Sequence, residues 1–189
     1  MIQERFLEEF AKRGILQSGH FRLTSGKHSN GYMQCAGVFQ DTTFAAQCVE
    51  ALLEDLDLDV DVVLSPAVGG VLMGYETARQ LGVVNLFAER EQGVMSLRRG
   101  FHLNPGQKVL VVEDVVTTGG SVQEVLELVK AAGAQAVAVA VLVDRSGGRA
   151  DFGVPLYSLL QVSLPAYDPD GCPMCAAAEP ITKPGSRDL

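Results

Sequence analysis

The residues with the strongest chemical signal are consecutive: Glu113-Asp114-Val115-Val116-Thr117-Thr118-Gly119-Gly120-Ser121. Two carboxylates follow an apolar run, and unpaired charge is costly to bury, so the acids should emerge at the exposed end of a strand. Thr117, Thr118 and Ser121 add hydroxyls. Gly119 and Gly120 let the backbone come close to a ligand. The residues that follow are patterned as a helix, whose start offers free N–H groups and the positive end of its dipole. Carboxylates beside such a cradle suit a sugar phosphate: acids accept from ribose hydroxyls while amides hold the phosphate. A helix with a Ser N-cap after an acidic turn is the plainer reading, but it needs neither both acids nor paired glycines. Neither a G-x-x-x-x-G-K-[ST] loop nor a dinucleotide fingerprint is present.

The elements that must position this segment follow from hydrophobic periodicity. A helix is predicted over residues 2–13 and ends at Gly14; residues 18–34 are polar and partly β-like; Asp41 caps a helix over 42–56. Strands at Val60–Leu64, Val83–Phe87, Lys108–Val112, Ala136–Val143 and Leu156–Val162 then alternate with helices at Val71–Leu81 and Ser121–Ala132, which close at Gly82 and Gly133. Continuous Val/Ile/Leu strands between helices predict an α/β fold, a doubly wound, mostly parallel sheet covered on both faces. Its ligands should lie at the carboxyl ends of the strands. The loops at 65–70, 88–106, 113–121 and 144–149 would share that edge.

The chain has 189 residues, the size of one domain, with an N-terminal hood over about 1–40 and a C-terminal tail over about 165–189. It is 47 % hydrophobic with no Trp, which predicts an aliphatic core. A net charge of -8 makes it a poor general binder of nucleic acid. Lys27, Arg90, Arg98, Arg99, Arg145 and Arg149 nevertheless fall in predicted ligand loops, which suits a small anionic substrate. The opening residues MIQERFLEEF do not form a signal peptide, no apolar run is long enough for a membrane span, and cysteines are few, so a cytoplasmic setting is expected. Cys172-Pro173-Met174-Cys175 has the spacing of half a zinc site. No second such pair follows, so it reads as a tight turn and no protein-held metal is expected.

The acid–threonine–glycine segment resembles the phosphoribosyl pyrophosphate (PRPP) motif of type I phosphoribosyltransferases. The resemblance implies that Glu113 and Asp114 hold the ribose hydroxyls and that Val115 to Ser121 hold the 5′-phosphate. Residues 19–34, Gly-His-Phe-Arg-Leu-Thr-Ser-Gly-Lys-His-Ser-Asn-Gly-Tyr-Met-Gln, are similar to the N-terminal region of orotate phosphoribosyltransferases. Val143-Asp144-Arg145 resembles that family's Asp-Arg, and Phe87-Ala88-Glu89-Arg90-Glu91 the start of its mobile loop. These matches run in order from about residue 16 to 149. They imply transfer of phosphoribose to orotate in pyrimidine synthesis, with Mg²⁺ bound mainly through PRPP. Arg145 would meet the orotate carboxylate, Thr117 the ring, and Tyr32 and Lys27 would lie on the base side. Residues 88–106 would form a lid with hinges at Gly93 and Gly100, bringing Arg90, Arg98 and Arg99 to the reaction and reaching a neighbouring subunit of a homodimer. The chain departs from the family's pattern at three lysines. None lies between 88 and 107, and Thr24 and Gly69 stand where many members carry one. A purine-base phosphoribosyltransferase and a non-catalytic PRPP-sensing regulator remain alternatives at this point.

Overall fold

A computed structural model describes residues 2–54 and 56–184. The helix α1 (Ile2–Lys12) packs Phe6 and Phe10 inward, edge and tilt against Phe44. A hairpin follows, β1 (Leu16–Arg22) and β2 (His28–Met33), and then α2 (Thr42–Leu53). Asp41 caps α2 as expected, its carboxylate accepting from the Thr43 and Phe44 N–H groups.

The main sheet is built from β3 (Val62–Pro66), β4 (Val84–Glu91), β5 (Val94–Leu97), β6 (Lys108–Val116), β7 (Gln135–Asp144) and β8 (Leu156–Gln161). Their spatial order is β5-β4-β3-β6-β7-β8, parallel throughout except for the β4/β5 pair. The helices α3 (Gly70–Leu81) and α4 (Gly120–Ala131) are the crossovers. Apolar residues of α1, α2 and α3 cover one face and those of α4 the other, so the central strands are dry on both sides and carry near-continuous Val and Leu. Each such side chain contributes roughly 1.5–3 kcal/mol by leaving water.

Several predicted boundaries move by a few residues, and two of the moves matter for function. The Lys108–Val112 strand extends to Val116, because residues as far as Val116 keep ladder partners on β7, with Val116 opposite Asp144. Glu113 and Asp114 therefore lie within the strand, and Glu113 is only 9 % exposed. The expectation that both acids emerge at the strand's exposed end is corrected for Glu113, which the strand keeps buried. The region 88–106 is likewise not a plain loop. β4 runs on to Glu91 and folds back as β5 through Gln92 (φ 51°) and Gly93 (φ 86°), an antiparallel hairpin on the sheet's edge.

A second, three-stranded sheet of order β1-β2-β9 forms the hood, β9 being Ala166–Tyr167. A four-residue helix, α5 (Pro173–Ala176), follows it. Among the described residues, no helix is long and apolar enough to cross a membrane. The part of the predicted tail beyond Lys183-Pro184 lies outside the described residues.

Candidate active site

The site begins where β6 passes into α4. Gly119 is the residue before the helix and holds φ at +80°. A β-carbon there would lie 2.8 Å from the Phe152 ring, so backbone conformation and space both select glycine. Ser121 is not the cap, as the plainer reading had it; among the described residues no side chain caps α4. Its first N–H groups stay free for an anion. Around them lies a cavity of about 270 Å³, lined by Val115 through Val122 with Glu113, Arg90 and Glu124. The Thr117 and Thr118 side chains are exposed to it.

The two acids share one problem. Burial pushes the Glu113 carboxyl up to about 8, and the neighbouring Asp114 charge pushes in the same direction. Burial also raises Asp114. The Asp114 N–H donates to Glu113 Oε1 at 3.1 Å, which offsets this only in part. No lysine or arginine among the described residues pairs with either group. Such a pair suits hydroxyl donors or a cation.

The start of α3 closes on the acids. A β-carbon at Gly69 would sit 3.1 Å from both Asp114 carboxylate oxygens, and one at Gly70 would sit 3.0 Å from Glu113 Oε1. Glycine at both positions lets the helix N-terminus approach the carboxylates, which its dipole favours. Sequence reasoning noted Gly69 for a lysine it lacks and missed this close approach. The paired glycines were the available signal.

Arg145 follows β7, and its N–H donates to the Val116 carbonyl at 2.8 Å, which ties it to the strand carrying the acids. Its guanidinium is half-buried, and burial lowers its pKa from the ordinary arginine value. The Arg145 Nε is buried without a hydrogen-bond partner. Asp144 does not neutralise it; that carboxylate accepts from the Ser146 N–H at 2.7 Å. A half-buried guanidinium with an unused donor is made for a planar anion.

The remaining predicted residues divide. Arg90 reaches the cradle, within 3.5 Å of Ser121 Oγ, but is held by the Glu124 carboxylate. Arg98 pairs with Glu91 at 3.1 Å, and Arg99 makes a two-pronged bond to Glu89 while lying over the Phe87 ring. Both therefore brace the hairpin and stand outside the cavity lining. Lys27 belongs to the hood and pairs with Asp168 at 3.2 Å. Tyr32 packs on Phe21, and its hydroxyl donates to Gln34. The structure does not bring Lys27 or Tyr32 to the cradle.

Comparison with known proteins agrees with this geometry. Residues 39–152 match the family model described as the phosphoribosyl transferase domain. The orotate phosphoribosyltransferase of Desulforamulus reducens is 54 % identical over the full length of both chains. That of Thermotoga maritima is 55 % identical, covering 96 % of this chain and 98 % of its own. In three dimensions the chain is similar to the crystal structure of orotate phosphoribosyltransferase from Aeropyrum pernix, with TM-score 0.72 and 28 % identity over 82 % of this chain and 92 % of that one. Full-length identity at this level, joined to a cradle, an acid pair and a free arginine on one sheet edge, places the chain in the orotate phosphoribosyltransferase family.

Proposed function

We propose that the protein transfers phosphoribose from PRPP to a ring nitrogen of orotate, giving orotidine 5′-monophosphate and pyrophosphate, a step of pyrimidine nucleotide synthesis. The observation that carries this reading is Arg145, a half-buried guanidinium with a buried, unpartnered Nε, joined by its backbone to the strand of the acid pair. A purine base has no carboxylate to give that group. The net charge of -8 speaks against a regulator that binds nucleic acid.

In this reading the 5′-phosphate lies on the Thr117–Ser121 turn, with Val115 and Val116 behind it and Arg90 at its rim. Glu113 and Asp114 accept from the ribose hydroxyls, which replaces their mutual repulsion with hydrogen bonds. Asp114 also faces the positive charge that develops on the ribose ring as the bond to pyrophosphate breaks. Arg145 and Thr117 orient orotate so that its nitrogen meets C1 as that bond opens. Tyr32 and Lys27 are assigned to the base side on family resemblance alone. Mg²⁺ carried in with PRPP fits an acid pair with which no lysine or arginine of the described residues pairs, and when bound it would supply charge neutralisation to the departing pyrophosphate.

Arg98 and Arg99 are proposed as electrostatic partners of pyrophosphate in place of the family's loop lysine. Arginine holds its proton too firmly to be a general acid. The hairpin they directly follow lies at the sheet's edge, which suits delivery to a neighbouring subunit of a homodimer. Four free cysteines suit a reducing, cytoplasmic setting. The reaction is tested by the loss of orotate absorbance on mixing protein, orotate, PRPP and Mg²⁺. Turnover should require all of them. Turnover with adenine or hypoxanthine in place of orotate would sink the reading.

A further inference from the structure

The motif left over from the sequence, Cys172-Pro173-Met174-Cys175, has partners after all, and they are histidines. His20 of β1 contacts both cysteines and His28 of β2 contacts Cys175, and one ligand atom from each of the four lies within 4.8 Å of every other. Cys172 Sγ is 3.6 Å and Cys175 Sγ 3.7 Å from His20 Nε2. Cys175 Sγ is 3.2 Å from His28 Nδ1, and the two ring nitrogens are 3.0 Å apart. Zinc bonds of about 2.3 Å to sulfur and about 2.0 Å to nitrogen, set tetrahedrally, put S···N edges near 3.5 Å and N···N edges near 3.3 Å. The observed edges scatter about those values.

We infer that His20, His28, Cys172 and Cys175 form a structural zinc site that fastens the C-terminal segment to the hood.

Four features outside the distances agree. First, the β1/β2 register shifts between Ser18 and Phe21, a bulge that turns the His20 ring inward. Second, His20 Nδ1 lies 3.0 Å from the Glu179 carbonyl oxygen, so this nitrogen carries the proton and Nε2 keeps its lone pair for a metal. Third, Cys172 precedes α5 and Cys175 lies within it, which brings both sulfurs to one end of a helix only four residues long. So short a helix has little stability of its own. Fourth, His20, His28 and Cys172 are buried while Cys175 is exposed, so the site is enclosed yet open to an entering ion. All four positions are filled by protein, the arrangement of a structural rather than a catalytic zinc. Binding releases the two thiol protons, and two thiolates with Zn²⁺ make a neutral group fit for burial.

The ion would join residues about 150 apart in sequence, where the backbone already makes contact: the Thr182 N–H donates to the His20 carbonyl at 2.9 Å, and the Arg22 N–H to the Thr182 carbonyl at 2.8 Å. This inference does not depend on the reaction assigned above.

Metal analysis of the full chain after exhaustive dialysis should find one zinc per chain. Co²⁺ exchanged into the protein should give the visible bands of tetrahedral cobalt and a near-ultraviolet thiolate-to-cobalt band. Cys175→Ser, at the exposed ligand, should keep the fold, lose the thiolate band intensity of one sulfur and release zinc to a chelator at least tenfold faster. Chelation should lower the melting temperature of the wild type and leave the Cys172→Ser/Cys175→Ser variant unmoved. Two outcomes would overturn the inference. One is a metal-free chain whose Co²⁺ spectrum is that of the hydrated ion. The other is a Cys172–Cys175 disulfide, seen as two titratable thiols in place of four in the denatured, unreduced protein.

Discussion

One consecutive run, Val115–Val122, supplies most of the cradle, whereas the hood draws on segments spread from Leu16 to Thr182. The cradle is anchored on β6, which pairs with β3 and β7 on either side, and its shape is set by backbone: a left-handed Gly119 and the free N–H groups of α4. The hood is a small three-stranded sheet whose third strand is two residues long, and it is held by side chains that arrive from far along the chain. Local sequence thus builds the anion site, and long-range contacts build the hood. Substitutions in the cradle should act on substrate use directly, and those in the hood mainly on stability.

The largest effect is expected at Asp114. Asp114→Asn removes a charged acceptor while keeping the shape, and charge-assisted hydrogen bonds are worth roughly 1.5–3 kcal/mol each. Steady-state kinetics should show kcat/KM for PRPP reduced about 100-fold with no fall in melting temperature. Unchanged kinetics would remove Asp114 from the ribose site and leave the cradle a phosphate clamp only.

Next comes the base side, where the comparison can fail most usefully. Arg145→Ala should raise KM for orotate about 10- to 100-fold and leave KM for PRPP within a fewfold. Lys27→Ala, which breaks an exposed pair with Asp168, should change KM for orotate less than threefold. A larger effect at Lys27 than at Arg145 would make the hood, not the strand edge, the reader of the base.

Gly119→Ala sets a backbone requirement against a chemical one. The substitution forces a left-handed alanine, at roughly 1 kcal/mol, and drives its β-carbon into the Phe152 ring. The melting temperature should fall by several degrees, and PRPP affinity should weaken through a displaced cradle. Gly119→Ala/Phe152→Leu should recover part of both, since the smaller side chain relieves the contact. No recovery would mean that φ alone sets the requirement.

Much of this was legible in the sequence because it is local. The alternation of aliphatic strands with helices gave the parallel sheet, and Gly82 and Asp41 marked helix ends where the structure has them. The acid–threonine–glycine run lay in one contiguous piece. What escaped depended on distance along the chain. The extension of β6 through the acids is fixed by pairing with β7, and the β4–β5 hairpin by pairing across a two-residue turn whose Gln92 carries no strong turn signal. Arg98 and Arg99 looked like free cations because their partners, Glu91 and Glu89, lie opposite only once the hairpin folds. The two histidines that complete the cysteine pair lie about 150 residues before it, and no spacing rule links them.

The smallest effect tests whether substrate relieves the strain of the acid pair. Burial beside Asp114 raises the Glu113 carboxyl from 4.5 to about 8. A group whose pKa is higher in the folded chain than in the unfolded one binds its proton more tightly when native. Its contribution to stability is therefore full below the unfolded value and is lost as pH rises through the folded one. The ligand-free protein should lose a few degrees of melting temperature between pH 5 and pH 9 on this account. Glu113→Gln should flatten that slope and raise the melting temperature at pH 9 more than at pH 5. PRPP with Mg²⁺, by giving the carboxylates donors and a cation, should lower the Glu113 pKa and release a proton on binding at pH 7, measurable as buffer-dependent heat in titration calorimetry. The same slope in Glu113→Gln would move the titration to another group, and proton uptake on binding would reverse the assignment of the pair as hydroxyl acceptors.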